Sequence, residues 1–436
     1  MNGQSPRELD VAIIGGGAAG LATAIFSAQA ASNLRIAIFD GAAKLGAKIL
    51  VSGGGRCNVT NKIVVAADYW GGSSNVIRRV LSFLPVAETV RFFQEIGVEL
   101  HEEEHGKLFP NSNKARTVVD ALIRAATQLN VQIRCGRRVT AIMWESERSE
   151  SGQAERAGAF HLQIANETIS AHVAVLATGG LSLPKTGSDG GGYLLAKSLG
   201  HSISPTCAGL APLLLDGAFH TALSGIACDT ELTITITGEK PLSIRGMMLW
   251  THFGISGPVV LNISRHWSRA RLQGKHVVIH ANFFPPLDGA SLERRWIEFA
   301  AKNPRRRMDA LLGETLPARL SEALLTSCGV APNTQIGNLA RDRRRRLARQ
   351  LTQWGLPIRD SRGYAYAEVT AGGVPLSEID PGTLQSRIRP GLFFVGEILD
   401  VDGRLGGFNF QWAWSSAFTA ARGITRFFSQ KSGLGE

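Results

Sequence analysis

Near its start the chain carries an apolar run, Asp10-Val11-Ala12-Ile13-Ile14, that stops at Gly15. Apolar residues at successive positions, cut off by glycine, predict a strand buried on both faces, as in a parallel sheet. The small apolar residues of Ala18–Ala31 predict a tightly packed helix, and Arg35–Phe39 predicts a second strand. Two later runs have the same form: His172–Ala177 ends in Thr178-Gly179-Gly180, and Gly391–Val395 ends in Gly396-Glu397. Parallel strands deliver their loops to a ligand at the carboxyl edge of such a sheet. Strands from both ends of the chain are therefore expected in one sheet.

Between them the pattern changes. Glu231–Thr237 alternates polar and apolar, which predicts an antiparallel strand with one wet face, and His276–Phe284 predicts another. After Pro285-Pro286 the period becomes helical: Leu292, Trp296, Phe299 and Ala300 share a face, and helices follow over 308–327 and 337–353. The fold class expected is α/β, a Rossmann-type dinucleotide-binding domain interrupted by an insertion. Its parts are expected at 1–194 (first part), 195–285 (inserted β-rich domain), 286–353 (helical subdomain), 354–365 (return strand) and 366–436 (second part).

The turn after the first strand, Gly15-Gly16-Gly17-Ala18-Ala19-Gly20, has the spacing G-x-G-x-x-G. Gly15 permits the tight turn, Gly17 lets backbone approach a pyrophosphate, and Gly20 brings helix and strand together. The pyrophosphate then meets the free N–H groups and the dipole at the helix N-terminus, beside Ala18 and Ala19. Asp40 ends the second strand, where an acid accepts a hydrogen bond from a ribose 2′-OH. This is the only such fingerprint in the chain. The further glycine clusters therefore favour FAD, which spans the sheet edge and needs several loops, over NAD(P).

One cluster is Ser52-Gly53-Gly54-Gly55-Arg56-Cys57-Asn58, where flexible N–H groups lie beside a guanidinium suited to phosphate oxygens. Another is Gly406-Gly407-Phe408-Asn409-Phe410-Gln411, expected to lead into a final helix over Trp412–Arg422. A helix N-terminus aimed at the flavin pyrimidine would favour the anionic reduced form.

Charge and cysteines narrow the class. The net charge is +11, and residues 286–362 hold 15 Lys+Arg against 8 Asp+Glu. A solvated helical face explains this more simply than nucleic-acid binding, because the Arg runs lack the interleaved aromatics that single strands need. The five cysteines are scattered, with no C-x-x-C and no metal-ligand spacing, so no metal is expected and a reducing, cytoplasmic setting is. Cys57 reads as a packing residue rather than a nucleophile. Val11–Ala31 could pass for an export signal, but Glu8 and Asp10 replace a basic start and glycines interrupt it. No run is long enough to predict a membrane span.

Together, Val11–Gly20, Gly46–Asn61, Ala177–Gly187, Thr251–Pro258 and Gly396–Gln411 resemble a bacterial FAD-binding oxidoreductase family that includes aminoacetone oxidase and a bile-acid enone reductase. The resemblance implies a split FAD domain with a β-barrel-like insertion carrying a small helical domain. It implies that Asp40 holds the adenosine ribose, that the Val139 backbone meets adenine, and that Thr178, Gly179 and Gly180 sit near the phosphates. Lys48, Gly55, Arg56, Cys57 and Asn58 belong to the flavin loop. Gly396 and Glu397 face the ribityl chain, while Gly407, Asn409, Phe410 and Gln411 lie by the ring. Two departures concern the substrate side: Gly191 stands where the family commonly has an acid, with Asp189 before it, and Phe408 stands where Tyr is frequent. His252, in Thr-His-Phe-Gly-Ile-Ser-Gly-Pro, is the one catalytic candidate, although a structural histidine is the commoner case. Gly106–Pro110 also resembles the family and borders the substrate pocket on that reading, although a packed turn is the commoner case.

The expected function is FAD-dependent hydride transfer at flavin N5 with a small organic substrate, by amine oxidation or enone reduction, with NAD(P)H or O2 as electron partner. The alternative is a nucleic-acid-associated flavoprotein, RNA-modifying or redox-sensing, that uses the basic helices around Arg305–Arg307 and Arg343–Arg346.

Overall fold

The computed structural model describes residues 8–147 and 156–432. The chain folds as two compact units, one made of residues 1–206 and 368–436, the other of residues 207–367.

The first unit is built on a seven-stranded sheet. Strand β1 (Leu9–Ile14) leads through helix α1 (Ala18–Ala30) to β2 (Ile36–Phe39), and β3 (Gln132–Arg134) pairs parallel to β2. A meander of β4 (Ala141–Glu147), β5 (Arg156–Ile164) and β6 (Glu167–Leu176) follows, and the sheet order is β3-β2-β1-β6-β5-β4. Strand β6 is shared: residues 167–171 pair antiparallel with β5, while residues 174–176 pair parallel with Leu392–Phe394. The last strand thus returns to the sheet begun by the first, as the apolar runs predict.

Both faces of this sheet are covered, so its parallel strands can be apolar throughout. Val11, Ala12 and Ile13 are fully buried, as are Leu21, Ala22, Ala24 and Ile25 of α1. Helix α1 is apolar on every side because it is enclosed on every side; Phe26 meets Phe418 of the closing helix edge-on at 5.3 Å. That helix runs Phe408–Ser432, starting four residues before the expected Trp412. Gly406 and Gly407 both take positive φ and make the turn, so the helix begins as soon as they end.

The second unit holds a seven-stranded antiparallel sheet. Its order is Trp354–Gly355, Val277–Asn282, Ala227–Ile236, Leu242–Thr251, Gly254–Ser256, Leu213–Leu215, Ile358–Ser361. The alternation seen in the sequence matches the burial along Ala227–Ile236, where Cys228, Thr230, Leu232, Ile234 and Ile236 are buried. The pairings among the described residues form an open path, and none joins its two outer strands into a barrel. Helices Gly289–Lys302, Met308–Leu312, Ala318–Ser327 and Arg341–Thr352 share one core with the sheet, including Leu292, Trp296, Leu320, Leu324, Leu347 and Leu351. Position 194/195, expected as a domain edge, falls inside the helix Gly191–Ser198, and residues 195–206 lie with the first unit.

Helix Pro258–Leu272 of the second unit carries a histidine that makes stability depend on pH. Burial, with the charge of Arg265 adding to it, holds the His266 imidazole down to about 4, against 6.5 for an ordinary histidine. As pH falls through 6.5 the unfolded chain takes up this proton and the folded chain does not. The contribution is therefore complete above pH 6.5 and is lost progressively towards pH 4. By pH 5 the loss amounts to about 2 kcal/mol. Urea unfolding of the second unit should show this difference between pH 7 and pH 5, and His266→Gln should flatten it.

Candidate functional site

Four chain segments meet at the carboxyl edge of the parallel strands. The first is the glycine turn. Gly15 has φ +108°, and a Cβ there would lie 2.4 Å from the Ala177 carbonyl oxygen. A Cβ on Gly20 would lie 1.9 Å from the Gly15 carbonyl oxygen, so neither position tolerates a side chain. Gly17 differs: nothing lies within 4 Å of its would-be Cβ. It faces open space at the start of α1, whose N-terminus no side chain caps. Uncapped N–H groups beside an open glycine are what a pyrophosphate requires.

Asp40 follows β2. One of its oxygens accepts the Gly16 N–H at 2.7 Å and the other accepts the Ala42 N–H at 2.8 Å. The carboxylate thus holds the glycine turn in place, and each oxygen keeps a lone pair for a further donor. The Arg137 N–H donates to the Asp40 carbonyl at 2.8 Å, which brings Val139, buried two residues on, to the same corner. Arg138 forms a two-pronged pair with Asp189, at 2.7 and 3.0 Å, and holds that carboxyl below the usual carboxylate range. This accounts for one departure from the family pattern. The acid sits at 189, and a Cβ on Gly191 would lie 2.6 Å from the Arg138 guanidinium.

The third segment follows β6. Gly179 has φ +69°, and Gly180 presses against the Thr370 hydroxyl. The Thr178 Oγ1 is buried without a hydrogen-bond partner in the structure, and so is the Asn58 Oδ1 of the glycine-rich loop. Buried polar atoms are seldom left unmatched, so each is a place where a bound polar group fits.

The fourth segment comes from the last strand. Gly396 has φ +74°, and its would-be Cβ lies 2.7 Å from the Ala19 Cβ, placing it against the start of α1. Glu397 pairs with Lys48 and accepts from the Ser182 hydroxyl at 2.6 Å and the Thr370 N–H at 2.9 Å; Lys48 also donates to Ser182. Lys48 and Glu397, 349 positions apart in sequence, thus share one network. Ser182 and Thr370 were not legible as members of it. Their signal is a further glycine pair, Gly372-Gly373, whose positive φ values mark a third tight turn beside the sheet. Glu368 sits at the start of the same segment and its carbonyl accepts from Ser182 at 3.4 Å. Crowding by protein pushes its carboxyl up, with Lys48 and Lys107 pulling the other way, although solvent still reaches the side chain.

The glycine-rich loop adopts left-handed backbone at Gly53, Gly54 and Gly55, and Gly54 has nothing within 4 Å of a would-be Cβ. Its neighbours are more constrained than the sequence suggests. Arg56 donates through Nη1 to Glu103 at 2.6 Å and lies 4.1 Å over the Phe109 ring, with the rest of its guanidinium partly exposed. Cys57 is fully buried, and burial pushes its thiol up to about 12. At such a pKa the thiolate fraction at pH 8 is about one in ten thousand. Iodoacetamide should therefore label the exposed Cys135 first and leave Cys57 unmodified, as peptide mass mapping would show.

The ring-side residues divide. Phe410 is half-buried and stacks on Trp414 at 5.7 Å, and Gly407 lies against the Thr60 backbone. Asn409 is spent on the protein, accepting from the Gly403 N–H at 2.8 Å and donating to its carbonyl at 3.0 Å. Gln411 is buried and fully occupied by Thr60, Leu84, Thr89 and Ser415, which assigns it to packing. Phe408 is buried against Tyr69, whose hydroxyl donates to the Phe408 carbonyl at 2.8 Å. Within Gly106–Pro110, Gly106 ends a short turn at φ +71° and Lys107–Pro110 pairs as a strand. His252 belongs to the second unit, in the turn between Leu242–Thr251 and Gly254–Ser256. Its side chain is exposed, with Phe253 beside it at 5.1 Å, so it is not the packed structural histidine that strand burial would make it.

The sequence model of the HI0933-like protein Rossmann domain matches residues 9–423, nearly the whole chain. The chain belongs to the HI0933-like family. This HI0933-like chain is 35% identical over 418 residues to a ribosomal RNA dihydrouridine synthase of Escherichia coli, covering 96% of this chain and 98% of the relative. It is 31% identical over 412 residues to a 3-dehydro-bile acid delta(4,6)-reductase of Clostridium scindens, covering 94% of this chain and 98% of the relative. Among solved structures, E. coli quinol fumarate reductase covers 98% of this chain and 74% of its own, at 17% identity and a TM-score of 0.50. A 3-ketosteroid delta1-dehydrogenase from Sterolibacterium denitrificans covers 96% and 100%, at 12% identity and a TM-score of 0.50. These two likenesses are of fold. No helix among the described residues is long and apolar enough to cross a membrane, and no group of three or more metal-ligating side chains occurs among them.

Proposed function

We propose that this protein is an FAD-dependent reductase of a carbon–carbon double bond conjugated to a carbonyl, and that its substrate is a uridine in ribosomal RNA. The observation that carries the reading is the meeting of the open Gly17 turn, Thr178, and the Lys48–Glu397 network at one sheet edge. That arrangement suits a dinucleotide whose pyrophosphate lies on α1 and whose flavin end runs towards Lys48. Bound there, FAD supplies a hydride donor and acceptor at N5.

The substrate class draws on the relatives. A uracil C5=C6 bond next to the C4 carbonyl and a steroid dienone present the same electronic problem, so one chemistry unites a dihydrouridine synthase and a bile-acid reductase. The net charge of +11 favours the polyanion over the steroid. In the reduction, hydride adds to the carbon β to the carbonyl and a proton to the carbon α to it, with NAD(P)H as the external reductant. We assign that proton to Glu368, whose carbonyl lies 3.4 Å from the Ser182 hydroxyl of the Lys48–Glu397 network and whose side chain is open to solvent. The surrounding protein pushes its carboxyl above the range of an ordinary glutamate, the direction a proton donor needs.

The test is anaerobic reduction of the bound flavin with NADH and NADPH, followed by mixing with protein-free ribosomal RNA or with a steroid 4-en-3-one. Reoxidation by RNA, with two hydrogens gained in one uridine, is expected. Reoxidation only by O2 would make the protein an oxidase and end this reading. Glu368→Gln should leave flavin reduction intact and slow reoxidation by RNA about 100-fold. In the parent, that second half-reaction should slow as pH rises through the raised pKa.

A further inference from the structure

The helix Arg341–Thr352 of the second unit holds six arginines and one aspartate. Its apolar side, Leu347, Ala348 and Leu351, is buried in the unit's core, so the remaining surface is almost wholly cationic. Elsewhere in the protein several arginines face acids: Arg35 faces Asp10, Arg138 faces Asp189, Arg245 faces Asp229, and Arg404 faces Asp68. Here only Arg344 and Arg345 do, and they share Glu293 of the neighbouring helix Gly289–Lys302 at 3.3 Å each. Arg341, Arg343, Arg346 and Arg349 are exposed and have no acidic partner among the described residues. Such a concentration of like charge opposes folding, so a compensating anion is the physical expectation.

We propose that this helix is an anchor for the phosphate backbone of folded RNA, placed in a unit separate from the dinucleotide-binding one; the assignment rests on the RNA reading above. Arginine is the fitting residue, since its planar fork takes two phosphate oxygens at once. Arg341 to Arg349 spans about 12 Å of helix, a line of charge rather than a point. The lack of aromatics on this face argues against stacking on single-stranded bases and leaves recognition of backbone and shape. A lipid surface fits poorly. A helix lying on a bilayer needs its apolar side free, and here that side is occupied by the protein's own core.

The experiment measures binding of the full chain to labelled, protein-free ribosomal RNA over a range of salt concentrations, alongside vesicles of phosphatidylglycerol. In the fourfold variant R341Q/R343Q/R346Q/R349Q, RNA affinity at low salt should drop by more than tenfold. The slope of log affinity against log salt should become shallower by about 3 to 4. The matching fourfold Arg→Lys variant should retain most of the affinity, which separates charge loss from misfolding. In the glutamine variant, flavin reduction by NAD(P)H should be unchanged. Equal binding by the parent and the glutamine variant overturns the anchor and leaves the RNA reading standing. No RNA binding by the parent overturns both, and binding of vesicles but not RNA through the same arginines replaces the partner.

Discussion

Gly17→Val should give a folded protein that cannot hold FAD. A Cβ at this position meets no atom within 4 Å, and the backbone there is extended at φ −80°, which valine accepts readily. The unfolding midpoint of the apoprotein should therefore stay within about 2 °C of the parent, as for an ordinary surface change. The valine methyls would instead occupy the space through which a pyrophosphate approaches the α1 N-terminus. Losing two charge-assisted N–H contacts at about 1.5–3 kcal/mol each implies a fall in FAD affinity of at least about 100-fold. Fluorescence titration of apoprotein with FAD measures it. Gly20→Ala is the control with the opposite outcome. Its Cβ would sit 1.9 Å from the Gly15 carbonyl oxygen, which is backbone and cannot yield, so the expected product is unfolded or insoluble. If Gly17→Val binds FAD as the parent does, the pyrophosphate does not lie on α1.

Gln411→Ala should lower stability without altering the flavin. The side chain is 1% exposed. Its oxygen accepts from the Thr60 hydroxyl at 2.6 Å, and its amide nitrogen donates among the Leu84 carbonyl, the Thr89 hydroxyl and the Ser415 hydroxyl at 2.9 to 3.0 Å. Truncation leaves these groups dry and unmatched and opens a cavity between the closing helix and residues 84–89. Each unsatisfied group costs about 1–3 kcal/mol, so a total of about 3–5 kcal/mol is expected. A lower urea midpoint together with an unchanged flavin absorption spectrum in the surviving folded protein would place Gln411 in the scaffold. A shifted spectrum at unchanged stability would place it at the ring.

Why Gln411 looked like a ring residue is instructive. A polar residue in a glycine-rich string reads as a ligand contact when the chain is taken one residue at a time. Its partners at positions 60, 84 and 89 are more than 300 residues away, and only packing brings them to it. Arg56 likewise has partners that its own string does not announce, since Glu103 and Phe109 meet it from a separate small sheet. Asn409 is a gentler case, because Gly403 lies only six residues before it, yet the pairing depends on how the loop folds back.

The sequence by itself determined the parts whose physics is local. Gly15, Gly17 and Gly20 announce a strand, a turn and a helix within twenty residues, because each glycine answers a steric demand made by its immediate neighbours. The apolar runs ending in glycine likewise located the strands that share the sheet, and the alternation at 231–237 located a one-sided strand. Tertiary structure alone decided which polar residues remain free for chemistry. Lys48 meets Glu397 and Ser182, Thr370 meets Glu397, and Glu368 lies near Lys48 and Lys107, only once three distant loops reach the same edge. A hydrogen bond is short-ranged and saturable, so a side chain's availability depends on what arrives beside it. The arginines of 341–349 follow the same rule in reverse: their charge was plain in the sequence, and only the fold revealed that few acids come to meet it.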